Sequence, residues 1–496
     1  MTTAPPYTAD CAGQAAWTRA VTRDLFPAAP TPFHWSLLQQ PSETALRRAW
    51  ADLKVTLPDC CFWRREANGH IYLNADVMRQ ANRALHNAAW LVEPAEAPPS
   101  GLFARLQAQS IIRHAQAQIA RSVAEAASLR ARLTDWLARI WALRWTQADL
   151  LQVMEELAPQ AQAALRLHFI VRAGLAAAQA HVTALLHAWW PDCPTAVTLG
   201  LYAGLASLPS AEAAHALAGL NTAADRKATQ QAFLACYGHR GPGEAGPHAL
   251  RWRDRPDRLR AYAALSPARD AAHARAIHDA AVRRLQDRLG SRWRQLEPTI
   301  AQARALCGAV DMTWDGFVCT MAAAQTWLRA VAGEALAAGL IADATEAAYL
   351  EFEELKQVAT GEWHRGHSAA VRAEVARRQI ALAAPAATAP AAPRPASPGQ
   401  ATGPLLRVTP TTDPARFARA VLVMDVADPG QAAGWLAAAG LLDAAGDPWS
   451  PGMIVARSLA LPAVSGMPVA AWQADERQIV TVDADISHIA LAPQVA

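Results

Sequence analysis

A segment rich in proline and alanine, residues 381–404, divides this chain into two parts of different character. The segment contains six prolines. Proline fixes φ and removes a backbone donor, so the segment cannot continue a helix, and its small side chains bury little surface. We therefore predict an extended linker over residues 381–400 that lets a small C-terminal domain move against a large body.

The part before the linker has the pattern of a helical protein. Alanine, leucine, arginine and glutamate dominate residues 42–385, and apolar residues recur every three or four positions, as in residues 129–145. Apolar residues make up 52% of the 496 positions, enough for a sizeable core. We predict an N-terminal extension over residues 1–30 and a mainly α-helical body over residues 31–380.

The part after the linker has a different pattern. Residues 421–426 and 479–485 have the β-branched, apolar composition of strands, and a helix-start signal precedes residues 454–461. Residues 401–496 also carry five arginines against nine acids, whereas the whole chain has a net charge of +3. We predict a separate small α/β domain over residues 401–496.

Composition excludes several classes of function. A net charge of +3 lacks the concentrated basic excess of a nucleic-acid binder, and no GxxxxGK[ST] phosphate loop is present. The best membrane candidate, residues 193–211, is interrupted by Pro194 and Pro209, so any helix there is too short to span a bilayer. The seven cysteines lack paired CxxC spacing, and no secretory signal is evident. We expect a reduced, cytoplasmic protein without nucleic-acid or membrane partners.

The loop Tyr237–Glu244 (sequence YGHRGPGE) carries the densest group of chemically active residues. Its three glycines and one proline indicate a loop inside a helical region. His239 offers an acid–base group, Arg240 a permanent cation and Glu244 a carboxylate. Such a set can hold a phosphate or carboxylate ligand by bidentate contact. The alternative is a structural turn in which the arginine and the glutamate pair with each other.

The segment Ser450–Val464 (sequence SPGMIVARSLALPAV) resembles a known signature. It is similar to the S-H-x-x-I-V-A-R-x-L-x-I-P-A-V pattern of the swivelling phosphohistidine domain in phosphoenolpyruvate-utilising enzymes, which include phosphoenolpyruvate synthase and rifampicin phosphotransferase. Ser397–Gly399 with Gly403–Pro404 resembles the opening of that domain, and Ala427–Gly430 resembles its T-D-P-G turn. The resemblance implies a swivelling domain over residues 401–496.

The body resembles the rifampicin phosphotransferase-like branch of the same superfamily. Pro32–Leu38, Gly69–Asn74 and the loop Tyr237–Glu244 are similar to motifs of its helical substrate-binding region. The resemblance implies that residues 31–380 bind a substrate. From the chemistry of the loop we expect His239 and Glu244 to be catalytic. The resemblance also implies a set of ligand-binding residues: Trp35, Arg240, Gly241, Gly243 and Arg251.

Two departures from the family pattern bear on function. The catalytic histidine of the signature is replaced by Pro451, which has no side-chain nucleophile to carry a phosphoryl group. The sequence also begins where the ATP-grasp domain of full-length relatives would end. Ser450 can still cap the following helix, and proline suits its first turn, so the fold can survive the change. We expect the chain not to phosphorylate by itself and not to bind a cofactor, ATP being used only through a partner.

These observations leave three interpretations open. The first is a substrate-binding component of a split or reassigned phosphotransferase acting on a small hydroxylated or carboxylated metabolite, with a separately encoded ATP-grasp and phosphohistidine partner. The second is a phosphate-independent lyase, isomerase or condensing enzyme that uses His239, Arg240 and Glu244. The third is a non-catalytic binding or scaffold protein. For the first two we expect a role in secondary metabolism.

No metal site is predicted. Glu362, His364 and His367 have ligand-type side chains, but an HxxH pair without a third placed ligand is typical of a solvated helix face.

Overall fold

The structure is a computed structural model that describes residues 16–19, 22–60, 62–65, 69–84, 102–382, 391–468 and 473–492. Residues 1–15, most of the predicted N-terminal extension, lie outside the described residues, as do residues 383–390 of the predicted linker. The chain forms two compact units. The first comprises residues 1–174, 245–248 and 316–387, and the second comprises residues 175–244, 249–315 and 388–496.

Long helices dominate the body, as the periodicity predicted. The helices before the linker are α1 (Thr22–Leu25), α2 (Pro32–Asp52), α3 (Ala75–Ala84), α4 (Leu102–Trp141), α5 (Gln147–Trp189), α6 (Thr195–Gly200), α7 (Pro209–Gly219), α8 (Arg226–Tyr237), α9 (Pro256–Ala263), α10 (Ala271–Leu289), α11 (Trp293–Ala337), α12 (Phe352–Ala359) and α13 (Ser368–Leu382). Those after it are α14 (Ala432–Trp435) and α15 (Pro451–Ser458).

The first unit also contains a small sheet that the sequence pattern did not reveal. Its strands are β1 (Trp17–Thr18), β2 (Trp63–Arg65) and β3 (Ile71–Asn74), with β3 antiparallel between the other two. Strand β1 belongs to the predicted extension, so the described part of that extension is folded. The reason is apolar burial, because Leu25 at the end of α1 and Phe26 after it are almost completely buried.

The C-terminal part forms a seven-stranded mixed sheet. The strands are β4 (Arg394–Ser397), β5 (Gln400–Arg407), β6 (Val421–Met424), β7 (Gly440–Asp443), β8 (Ala463–Ser465), β9 (Ile479–Asp483) and β10 (His488–Leu491). Their order is β10-β9-β5-β6-β7-β8-β4, with β5 to β8 parallel and the flanking pairs antiparallel. Leu405, Val421, Val423, Leu442 and Val464 form part of its core. A mainly helical body followed by a small α/β domain is therefore confirmed.

The sheet begins earlier than the sequence suggested. Strand β4 lies inside residues 381–400, which were predicted to be linker, and pairs with β8 at the edge of the sheet. Proline can occupy an edge strand because the missing N–H need not face a partner strand. The linker predicted from composition therefore extends too far towards the C-terminus, since its last residues form strand β4.

Among the described residues, one helix is long and apolar enough to span a membrane, and it is not the one anticipated. It is α5, and 61% of its most apolar window is buried inside the protein, as in a core helix. The earlier candidate, residues 193–211, contains only the six-residue α6 and the start of α7.

Candidate functional site

The loop Tyr237–Glu244 belongs to the second unit and follows α8, which Asp225 caps by accepting a hydrogen bond from Ala228 N at 2.9 Å. Two of its glycines are required by the backbone. Gly241 has φ +145° and Gly243 has φ +78°, conformations that side chains disfavour. A Cβ on Gly241 would lie 2.2 Å from the Leu250 carbonyl oxygen. Gly241 and Gly243 therefore allow a backbone conformation that a residue with a side chain could not adopt without strain.

A fully buried ion-pair network forms the centre of this loop. The Arg240 guanidinium donates to Glu244 through Nε at 3.1 Å and Nη2 at 2.7 Å, and to Asp315 Oδ1 through Nη1 at 2.8 Å. Arg240, Glu244 and Asp315 are each at most 1% exposed. In this structure the arginine predicted to bind a ligand is thus held by two carboxylates of the protein, as in the structural-turn alternative.

Three further side chains complete the network. His239 Nε2 lies 3.0 Å from Asp315 Oδ1, so a protonated nitrogen there donates to the carboxylate. Trp314 Nε1 donates to Glu244 Oε1 at 2.9 Å. Arg251 Nη1 donates to the carbonyl oxygen of His239 at 2.9 Å. Both loop side chains predicted to be catalytic are therefore oriented by neighbours on α11.

The α/β part of the second unit contacts the loop through Asp428. Its carboxylate accepts hydrogen bonds from Gly243 N at 2.6 Å and from Gly430 N at 3.0 Å. A Cβ on Gly430 would lie 2.1 Å from the Gly241 carbonyl oxygen, so the two backbones touch. The Asp428–Gly430 turn and the loop therefore fix each other's conformation.

More carboxylates than guanidinium groups are buried in and around the network, and this changes the pKa values of these groups. Burial raises the pKa of Glu244 to about 7, against the opposing charge of Arg240. Burial also raises the pKa of Asp311 and of Asp428. For Arg240, burial alone would lower the pKa, but the carboxylates of Glu244 and Asp315 outweigh it and the pKa is raised. Arg240 therefore stays charged, whereas Glu244, Asp311 and Asp428 bind protons more readily than exposed carboxylates as the pH falls.

A small pocket adjoins the network. Its wall consists of Ser210, Ala213, Ala214, Leu217, Arg240, Trp252, Pro429, Gly430, Ala432 and Ala433. The free space inside is roughly that of one water molecule. The lining combines small apolar side chains with one guanidinium, which suits a compact ligand with an anionic or hydroxyl group. Such a ligand needs more room than the pocket has in this conformation.

The signature position lies at the start of α15. Ser450 caps this helix by accepting a hydrogen bond from Met453 N at 3.3 Å, and Pro451 is the first helical residue. All eight residues of α15 are buried. Arg457 on this helix donates to the Pro448 carbonyl oxygen at 2.7 Å and stacks on Trp449 at 3.9 Å. The helix of this segment is therefore capped at its first turn and buried along its whole length.

The structure brings together the predicted site residues that belong to the second unit. His239, Arg240, Glu244 and the glycines share one network, whereas Trp35 lies on α2 in the first unit, edge to face with Phe26 at 5.7 Å. The predicted assignments of these residues to catalysis and ligand binding stay predictions.

His364 and His367, considered above as metal ligands, act as turn caps. Each accepts a backbone N–H on Nδ1 at 3.2 Å.

Sequence reasoning missed the acids in and around the network. Asp315 and Asp428 accept hydrogen bonds from the loop, and Asp311 interacts electrostatically with Arg240 and accepts from Ser210 N at 2.9 Å. A signal was available on α11. Between Arg304 and Arg329, Asp311 and Asp315 are the only charged residues, one turn apart in an apolar helix. Acids at such buried positions need partners.

Comparison with known families identifies two regions of this second unit. Residues 417–486 match the mobile domain of PEP-utilising enzymes. Residues 197–310 match the rifampicin phosphotransferase fourth domain. Both regions belong to the superfamily of phosphoenolpyruvate-utilising enzymes, and the second match places them in its rifampicin phosphotransferase-like branch. The resemblance inferred from the signature and the loop is confirmed, and the protein is phosphotransferase-like. A search of the curated proteins found no match.

Removing the Arg240 guanidinium should destabilise the fold. In Arg240→Ala, Glu244 and Asp315 lose their shared counter-charge inside the protein, and breaking a buried pair costs about 3–5 kcal/mol. We expect a loss of that size in the free energy of unfolding, measured by urea denaturation. Arg255→Ala, which breaks an exposed pair with Asp257, is the control and should change little. Unchanged stability in Arg240→Ala would contradict this structural role.

The Glu244 carboxyl should make stability depend on pH. Its pKa rises from an ordinary 4.5 to about 7 on folding, so the folded chain holds this proton at a higher pH than the unfolded chain. The stability that protonated Glu244 contributes is therefore present below about pH 4.5 and is lost as the pH rises towards 7. We expect Glu244→Gln to flatten this decline when urea denaturation is compared at about pH 5 and pH 7.5.

A second buried acid contributes to both proteins in that comparison. Burial raises the pKa of Asp443 to about 6, so its contribution declines in the same direction and cancels in the difference between wild type and Glu244→Gln. Equal declines in both proteins would show that Glu244 is ionised across the whole range.

Proposed function

We propose that this protein is the substrate-binding component of a phosphotransferase-like system, acting on a small hydroxylated or carboxylated metabolite and unable to phosphorylate by itself. The observation that carries the proposal is Pro451 at the first position of α15. Phosphoryl carriage needs a side-chain nucleophile that attacks phosphorus and later releases it, and proline has none. The binding fold persists around it, with Ser450 capping the helix.

The loop supports a role in binding. Five hydrogen bonds and ion pairs within the second unit orient Arg240, Glu244 and His239, and the adjoining pocket has one guanidinium among small apolar walls. A preorganised polar group in an apolar pocket fixes the orientation of a small ligand. ATP would act through a separately encoded ATP-grasp and phosphohistidine partner, in the cytoplasm and in secondary metabolism.

The chain alone should take up no phosphate. Incubation with β- or γ-labelled ATP, and separately with labelled phosphoenolpyruvate, should leave the purified protein unlabelled, because no carrier histidine stands at Pro451. The measurement is acid-labile radioactivity on the protein after gel filtration. A phosphoenolpyruvate synthase-type enzyme treated in parallel is the positive control. Acid-labile label on the isolated chain would overturn the proposal.

A second function is favoured by the contact between His239 and Asp315. A histidine whose Nε2 lies 3.0 Å from a buried carboxylate is oriented as an acid–base group, the arrangement that proton transfer requires. We propose as the alternative a phosphate-independent lyase, isomerase or condensing reaction in which His239 moves the proton and Glu244 holds the loop.

A metabolite-extract assay separates the two functions. In the phosphate-independent case, wild type should convert a metabolite in a polar cell extract without ATP and without gain of a phosphoryl group, as read by mass spectrometry. His239→Gln, which keeps a hydrogen-bonding side chain, should lose that conversion. Products that appear only with ATP and a partner protein, and that carry a phosphoryl group, would instead support the split phosphotransferase.

A further inference from the structure

The α/β part of the second unit is held to the helical segments by contacts between backbones. The Asp428–Gly430 turn touches the loop so closely that a Cβ on Gly430 would overlap the Gly241 carbonyl oxygen, at 2.1 Å. Asp428 itself is buried and bridges Gly243 N and Gly430 N. Because there is no space for a methyl group between these two backbones, there is also no space for a water molecule between them.

Further backbone groups pair across the same boundary. Ala268 N donates to the Leu436 carbonyl oxygen at 2.8 Å, and Gly204 N donates to the Ser458 carbonyl oxygen at 3.2 Å. Leu205 N donates to Ser458 Oγ at 3.1 Å. These amides form hydrogen bonds as the amides inside a domain do, and each loses its partner if the two parts separate.

Two arginines of the helical segments add a second layer of contacts. Arg258 donates to the carbonyl oxygens of Thr411 at 3.2 Å and Thr412 at 2.8 Å. Arg269 donates to the Ala438 carbonyl oxygen and, at 2.8 Å, to that of Ala439. Both guanidinium groups span two successive carbonyls, which fixes their direction as well as their distance. Together with the contacts of Asp428, they hold the two parts at several points along the chain.

Apolar packing fills the space between these points. Tyr262 of α9 lies edge to face with Phe417 at 5.9 Å and with Trp252 at 5.0 Å. Helix α14 packs on α7, and its Trp435 and the next residue, Leu436, are at most 1% exposed. Separation would return these side chains to water at about 25 cal/mol per Å² of apolar surface.

From these contacts we propose that the C-terminal domain, residues 391–492, is permanently docked and acts as a fixed wall of the loop Tyr237–Glu244, with Asp428 as the positioning residue. A domain that carries no phosphoryl group at Pro451 gains nothing from moving. The linker composition predicted a mobile tether, whereas the contacts make the domain one cooperative body with α6 to α10.

Hydrogen exchange on the full wild-type chain tests the proposal. The probes are the amides of Gly204, Gly243 and Ala268, each bonded across the boundary, and the references are the amides of strand β6 within the domain. If the domain never leaves, both sets open only with the whole unit, and their protection factors should agree within about tenfold. Probe amides that exchange more than about 100-fold faster than protected β6 amides would show a domain that undocks intact, and would overturn the proposal.

Two glycine-to-alanine variants test whether the Asp428–Gly430 turn holds the domain in place. Gly430→Ala forces the turn away from the Gly241 carbonyl and should raise the exchange rates of the Gly243 and Ala268 amides above those in wild type. Gly219→Ala is the matched control, because a Cβ there meets no atom within 4 Å, and its exchange should equal that of wild type. Unchanged exchange in Gly430→Ala would count against Asp428–Gly430 as the clamp. The outcome is independent of the proposed function, since no phosphate or substrate takes part.

Discussion

One buried guanidinium organises the functional half of this protein. Arg240 is enclosed by Glu244 and Asp315, and its three donor contacts join the end of the loop to the middle of α11. A charge in that position is tolerable only when it is paired, and the pairing in turn dictates where its acids must lie. The loop therefore acts as a structural joint as well as a candidate site.

The second constraint is the close approach of two backbones at Gly241 and Gly430. It allows the carboxylate of Asp428 to reach Gly243 N at 2.6 Å and closes the adjoining pocket to roughly one water molecule. A side chain at Gly430 would prevent this approach, because its Cβ would lie 2.1 Å from the Gly241 carbonyl oxygen.

Local patterns were sufficient for much of the architecture. The apolar periodicity predicted the helices, the composition after the linker predicted an α/β domain, and the Ser450–Val464 pattern indicated the superfamily. Errors arose where long-range pairing decides the outcome. Strand β4 was assigned to the linker because its prolines are compatible with an edge strand as well as with an extended tether. Strand β1 was assigned to an extension because two residues carry no periodicity.

The sequence by itself determined which groups are available to the site: the histidine, arginine and glutamate of one loop, and a proline at the first position of α15. Only the tertiary structure decided what those groups do in this conformation, because Asp311, Asp315 and Asp428 approach the loop from distant positions in the chain. Charge pairing inside a protein depends on distances between groups, and no local pattern records that the Arg240 fork is already occupied by carboxylates.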